Sequence, residues 1–206
     1  MTPATTRRRP LQARSAATVE AILEAAAQVF ERHGYAAGTT NRIAERAGVS
    51  IGSLYQYFAD KDAILVALTE RHLDEGIAAL APLLAELVVR PPPVRAALER
   101  LMSALIELHR HRPGLHRILF EEAPRPPALR ERLAAVADDA TDALAGYLAQ
   151  SPDAVVGDPR LAAHLVVTVL ESVTHGLVIH PRDDVPPDAY AAQAVTMLAL
   201  YLTDDG

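Results

Sequence analysis

The sequence predicts an all-α fold: a small three-helix domain at the N-terminal end, followed by a larger helical body. Three observations carry that reading. Apolar residues recur at three- and four-residue spacing through most of the 206 residues. No stretch alternates apolar and polar side chains as a half-buried strand would. Prolines gather between the periodic segments, at Pro91, Pro92, Pro93, Pro113, Pro124, Pro126, Pro127, Pro152, Pro159, Pro181, Pro186 and Pro187. A residue without an N–H suits a helix start or a linker.

Residues 1–14 are polar and basic, and read as a flexible arm. Arg7, Arg8 and Arg9 are followed by no apolar core, so no signal peptide is expected. A first domain spans 15–61. Its first helix carries Val19, Ile22, Leu23, Ala26, Val29 and Phe30 on one face and ends at Gly34, with Arg32 and His33 in a last turn that favours cations. Thr39 or Thr40 caps a short second helix that runs to Arg46 and stops at Gly48. Ser50 caps a third, from Ile51 to Phe58. Asp60 caps a longer helix from Lys61, the start of a second domain over 62–206, with Ile64, Leu65, Leu68 and Leu73 on its apolar face. Pro82 lies inside this helix and is expected to kink or end it. Further helices are expected at 94–111, 113–122, 126–150, 158–179 and 187–203.

Residues 39–61, T-T-N-R-I-A-E-R-A-G-V-S-I-G-S-L-Y-Q-Y-F-A-D-K, hold two helical patterns separated by a glycine turn, the sequence form of a helix-turn-helix. Leu54 and Phe58, four apart, face inward with Ile43, Ala44, Ala47, Val49 and Phe30. The outward face of the second helix then carries Ile51, Gly52, Ser53, Tyr55, Gln56 and Tyr57, with no charged side chain. A solvated helix face would ordinarily be charged. Gly52 permits close backbone approach, and Ser53 and Gln56 can hydrogen-bond base edges. Thr40, Tyr55, Tyr57 and Lys61 suit phosphate oxygens, Lys61 beginning its helix.

Net charge is −6, which at first argues against nucleic acid. Its distribution argues the other way: residues 1–61 hold eight Lys+Arg against five Asp+Glu, and residues 62–206 hold twelve against twenty-one. A basic head on an acidic body suits one nucleic-acid-binding end. The absence of cysteine excludes disulfides, thiolate metal sites and a cysteine nucleophile. No apolar run approaches the ~20 residues of a membrane span, so a soluble, cytoplasmic protein is expected.

On the residues A-I-L-E-A-A-A-Q-V-F-E-R-H-G-Y at 21–35, T-T-N-R-I-A-E-R-A-G-V-S-I-G-S-L-Y-Q-Y-F at 39–58 and Asp60-Lys61-Asp62-Ala63-Ile64-Leu65, the chain resembles the TetR/AcrR family of transcriptional regulators. The match covers about 50 residues across three consecutive helices. It implies that Ser50–Phe58 is the recognition helix, that Thr40, Tyr55, Tyr57 and Lys61 meet phosphates, and that Asn41, Arg42, Gly52, Ser53 and Gln56 lie near bases. It also implies nine or more helices, with the remainder binding a ligand and dimerising.

Beyond residue 62 the residues are read for themselves. The helices near 158–179 and 187–203 are too apolar for one buried stripe each, so they are expected to pair with a second copy. An effector pocket is expected among the helices from 94 to 179. Met102, Leu105, Ile106, Leu115, Leu119 and Phe120 are its apolar candidates, and His109, His116, Thr168, Glu171 and His175 its polar ones. No catalytic motif such as G-x-S-x-G or H-E-x-x-H is present, so an enzyme is not expected. His109, His111 and His116 have no carboxylate at ligand spacing on their face, so neither metal nor cofactor is expected. The expectation is a DNA-binding regulator, in first place a repressor released from a palindromic operator by a small, largely apolar effector. Its rivals are an architectural DNA-binding protein without effector and a metal-binding helical enzyme.

Overall fold

The structure, a computed structural model, describes residues 8–181, 184 and 186–203. Met1 to Arg7 of the expected arm lie outside the described residues, and the arm's remainder is helical. The helix α1 (Arg8–Ala37) is interrupted at Gly34, whose φ of 71° and ψ of 169° are open to glycine alone. Eight more helices follow among the described residues, with no strand: α2 (Thr40–Ala47), α3 (Ile51–Tyr57), α4 (Lys61–Val89), α5 (Val94–Arg110), α6 (Pro113–Glu121), α7 (Pro127–Leu148), α8 (Pro159–Ile179) and α9 (Pro187–Thr203).

These helices form two compact units, and their division differs from the expected boundary at residue 61. The first unit runs through Arg71 and takes in Gly114–Arg125; the second holds His72–Pro113 and everything from Pro126. Two apolar stripes explain the shift. Ile64, Leu65 and Leu68 of α4 are at most 1 % exposed in the same core as Ile22, Phe30, Ile43 and Leu54. Leu115, Ile118 and Leu119 of α6 sit in that core too, at the three- and four-residue spacing of one helix face. Leu115, Leu119 and Phe120 were expected to line a pocket in the second domain; they belong to the first unit instead.

In the second unit α8 packs against α5, α7 and α9, and α5 against α9. Its core includes Leu87, Leu98, Met102, Leu144, Tyr147, Val166, Leu170, Val195, Leu198 and Leu202. Buried hydroxyls there are satisfied locally, as burial demands. Thr141 donates to the Ala137 carbonyl at 2.8 Å, Thr174 to Leu170 at 2.8 Å, and Tyr147 to Pro92 at 2.8 Å. Pro93 cannot cap α5, so Asp153, 59 residues away, does so: both carboxylate oxygens accept the Val94 N–H at 3.1 Å.

Two expectations about α4 and α8 need correction. The α4 helix does not end at Pro82 but continues to Val89; Pro82 is exposed, lacks the N–H that would have bonded Ala78, and crowds that carbonyl with its ring. The α8 helix does reach the length and composition of a membrane span, with a mean hydropathy of 1.6 over 18 residues. It nonetheless contributes Ala162, Ala163, Val166 and Leu170 to the core, and exposes Leu161 and Leu165 on the other side.

Gly38 is required by packing. A Cβ there would lie 2.5 Å from Cδ1 of the fully buried Phe30 and 3.0 Å from the Gly34 carbonyl oxygen. Gly38→Ala should therefore destabilise the first unit by about 1–3 kcal/mol through overpacking, read as a lower denaturation midpoint; an unchanged midpoint would contradict the close approach.

Candidate nucleic-acid interface

The short helices α2 and α3 are held in place by caps and by their inner faces. Thr39 Oγ1 accepts the Arg42 N–H at 3.4 Å, Ser50 Oγ accepts the Ser53 N–H at 3.0 Å, and Asp60 accepts the Ala63 N–H at 2.8 Å. Gly48, in the left-handed region with φ 67° and ψ 28°, ends α2. The Val49 N–H returns to the Ala44 carbonyl at 3.0 Å and that of Gly48 to Glu45 at 3.2 Å, a Schellman closure. Ile43, Leu54 and Phe58 are buried beneath.

The opposite face presents the predicted base readers to solvent. Asn41, Arg42, Gly52 and Gln56 are exposed and Ser53 is half-buried. A Cβ on Gly52 would meet only Ser50 Oγ, at 3.9 Å, so no contact among the described residues requires glycine there. Ser50 Oγ donates to Ser53 Oγ at 2.9 Å, which turns the Ser53 hydroxyl hydrogen outward as a donor.

Of the four phosphate candidates, Tyr55 and Tyr57 are exposed, and the hydroxyls of Thr40 and Tyr55 hydrogen-bond at 3.1 Å, tying the start of α2 to α3. Lys61 is half-buried. Its ammonium donates to the Tyr35 carbonyl at 2.8 Å and lies 3.9 Å above the Tyr35 ring, while the Tyr35 hydroxyl donates to Asp62. Sequence reasoning missed this role of Tyr35, because its partners lie 26 and 27 residues away. It also missed a polar chain within the first unit: Arg46 donates to Gln28, Gln28 to Glu24 at 2.8 Å, and Arg71 pairs with Glu20 at 3.3 Å and Glu24 at 3.8 Å. That chain links α2, α1 and α4.

The eight effector-pocket candidates are divided. His116 and Phe120 belong to the first unit, their rings 4.6 Å apart; Met102, Leu105, His109, Thr168, Glu171 and His175 belong to the second. Thr168 and Glu171 are exposed, and the Thr168 hydroxyl is turned back to the His164 carbonyl at 2.9 Å. Met102 is buried, with its sulfur 3.8 Å from the Thr174 hydroxyl. His109 is buried between His72 and His175, at ring-centroid distances of 5.2 and 5.7 Å. A surface groove of about 610 Å³ in the second unit, lined by Leu83, Ala96, Glu99, Arg100, Ser103, Ala104 and Glu107, shares none of the eight.

A helix-turn-helix with an exposed, charge-free second helix, carried by a first unit and followed by a larger all-helical one, defines a class of DNA-binding regulators. The chain belongs to the TetR family: residues 22–68 match the bacterial regulatory proteins of that family and residues 93–202 the tetracyclin repressor-like C-terminal domain. It is 30% identical over 144 residues to the transcriptional activator FasR of Mycolicibacterium smegmatis, a match covering 69% of this chain and 61% of FasR. To the regulator RutR of Escherichia coli K12 it is 30% identical over 161 residues, covering 76% of this chain and 72% of RutR. Among solved structures, NalD, the secondary repressor of the MexAB-OprM efflux pump in Pseudomonas aeruginosa, shares the fold with a TM-score of 0.70 at 21% identity, over 93% of this chain and 98% of NalD. The SmeT–triclosan complex has a TM-score of 0.64 at 27% identity, over 92% and 93% of the two chains. FasR and RutR are both regulators of transcription.

Desolvation lowers the His109 pKa from 6.5 to about 4, against a smaller opposing effect of its bond to the Leu105 carbonyl. Between these values the unfolded chain protonates His109 and the folded one keeps it neutral. Stability should therefore be lost as pH falls from 6.5 toward 4, with no further loss from this group below 4. His109→Gln should flatten that part of the pH–stability curve; an unaltered slope would contradict the desolvation.

Proposed function

We propose that two copies of this chain read a two-fold symmetric operator, and that a small, largely apolar effector bound in the second unit releases it, making the protein a repressor. The observation that carries the reading is α3 itself. Its exposed face has no charge, and Gly52 answers to no close contact among the described residues. A glycine with no internal reason is explained by the approach of an external backbone, and Ser53 and Gln56 beside it supply directional hydrogen bonds.

A seven-residue helix offers few base contacts, so a dimer is expected to supply the second half-site one helical turn, about 34–36 Å, away. Exposed residues of α8 and α9 support that pairing. Leu161, Leu165, Tyr190, Met197, Leu200 and Tyr201 are 42–57 % exposed in the single chain, on the faces opposite the buried stripes. Apolar exposure of this extent marks an interface.

The effector reading draws on the apolar interior of the second unit and on SmeT, whose structure holds triclosan. Release then follows from differential affinity: an effector shifts the population only if it favours the state whose recognition helices are mis-spaced. Cytoplasmic location accords with a DNA target.

Selection of bound duplexes from a random library tests the whole reading, and an inverted repeat should be enriched. Gln56→Ala should then lower discrimination between operator variants by about 1–3 kcal/mol while sparing non-specific binding. Lys61→Ala should weaken binding to all DNA alike and shallow its salt dependence by about one unit. Enrichment of no sequence, or operator affinity that no apolar compound alters, would favour the architectural alternative. For the dimer, Met197→Asp with Leu200→Asp should yield a monomer in sedimentation velocity that retains helicity and loses operator binding; an intact dimer would move the interface elsewhere.

A further inference from the structure

The histidine row in the second unit has chemistry that neither DNA reading nor an apolar effector uses. His72 on α4, His109 on α5 and His175 on α8 are 37 to 103 residues apart in sequence, and the fold brings their rings side by side. We propose that the second unit binds a transition-metal ion of the zinc type through the imidazoles of His72 and His109, with His175 packed beside them.

The geometry around His109 is that of a prepared ligand. Its Nδ1 lies 2.7 Å from the Leu105 carbonyl oxygen. A carbonyl can only accept, so Nδ1 carries the hydrogen and Nε2 the lone pair. Metal-bound histidines ordinarily donate their other ring N–H to a carbonyl or carboxylate in this way, which fixes both tautomer and ring orientation.

The ring spacing agrees as well. Two imidazoles bound tetrahedrally to zinc at about 2.05 Å have centroids roughly 5.2 Å apart. The His72–His109 and His109–His175 separations are 5.2 and 5.7 Å, with planes inclined by 59° and 79° and so not stacked face to face. Ligand nitrogens of His72 and His109 come within 4.8 Å of one another, and small side-chain rotations close that to the ~3.3 Å of a shared ion.

Carboxylates are close enough to complete the shell or to orient a ligand. Glu75 Oε2 is 3.9 Å from His72 Nδ1, and Glu171 stands one turn before His175 on α8. An imidazole-dominated donor set selects zinc, cobalt, nickel or copper over calcium or magnesium. Because α4 is one continuous helix from Lys61 to Val89, a metal on His72 would grip the helix whose first residue belongs to the DNA interface.

The experiment is a titration of the full chain, stripped with EDTA, with cobalt(II) alone and then zinc. One cobalt per chain should bind with the visible absorption of a four-coordinate nitrogen-rich site, and one equivalent of zinc should displace it. Zinc should also raise the melting temperature. His109→Gln and His72→Gln should each weaken cobalt binding by about 100-fold, while His111→Gln, at an exposed position on the same helix end, should change nothing. Far-ultraviolet circular dichroism separates loss of a ligand from loss of fold. Should a variant not fold, the wild-type titration still decides. Absence of stoichiometric cobalt at micromolar protein, an octahedral spectrum of weak absorption, or binding undiminished in the folded variants would overturn the site.

Discussion

A seven-residue helix cannot hold itself together in water, and the DNA-reading end of this protein is organised around that fact. Helix nucleation is costly, and isolated helices below about 12 residues are marginal. The stability of α3 must come from its inner face and its ends. Leu54, fully buried, and Phe58 anchor it to the core built on Phe30 and Ile43, and Ser50 closes its first turn. With support confined to one side, the other side needs no charge for solubility and no bulk for packing. That division leaves Gly52, Ser53 and Gln56 on the face turned away from the core. Tyr55 serves both needs, since its hydroxyl meets that of Thr40 while its ring stays exposed.

The same core draws in more chain than a helix-turn-helix needs. It takes the first part of α4 and all but the first residue of α6, so the backbone passes between the two units at residues 71–72, 113–114 and 125–126. Each passage is covalent and two are short, with prolines at 113 and 126. The chain thus crosses between the units three times, once within the continuous helix α4. On an exposed helix face the N–H missing at Pro82 leaves a carbonyl that water can satisfy, and seven further residues of helix follow.

Local signals were legible in the sequence and distant ones were not. The glycines at 34 and 48, the caps at Thr39, Ser50 and Asp60, and the inward Leu54–Phe58 pair all rest on neighbours within about four residues, where backbone chemistry dictates the outcome. The membership of α6 was not legible. An apolar stripe of Leu115, Ile118 and Leu119 states that a face is buried, and says nothing about which core buries it. For the same reason the assignment of His116 and Phe120 to the first unit was not legible. The grip of Tyr35 on Lys61 was not legible either, because it spans 26 residues. The histidine row was hidden likewise: proximity in sequence drew attention to His111, while His72 and His175, far off in the chain, are the rings that flank His109.

Composition misleads for α8 in an instructive way. By length and hydropathy it would pass for a membrane span, and the reason is that it has two apolar faces where an ordinary surface helix has one. Ala162, Ala163, Val166 and Leu170 fill the core, with small residues where α5, α7 and α9 approach. Leu161 and Leu165 are large and point away. Between these stripes lie His164, Glu171 and His175, while Thr168 and Ser172, seven residues after Leu161 and Leu165, share their outward face. A lipid-facing helix would have to bury such groups at a cost of several kcal/mol. A helix of a protein core can leave them at its solvent edge or pack them inside, as His175 packs against His109. The polar interruptions thus distinguish the two settings where mean hydropathy does not.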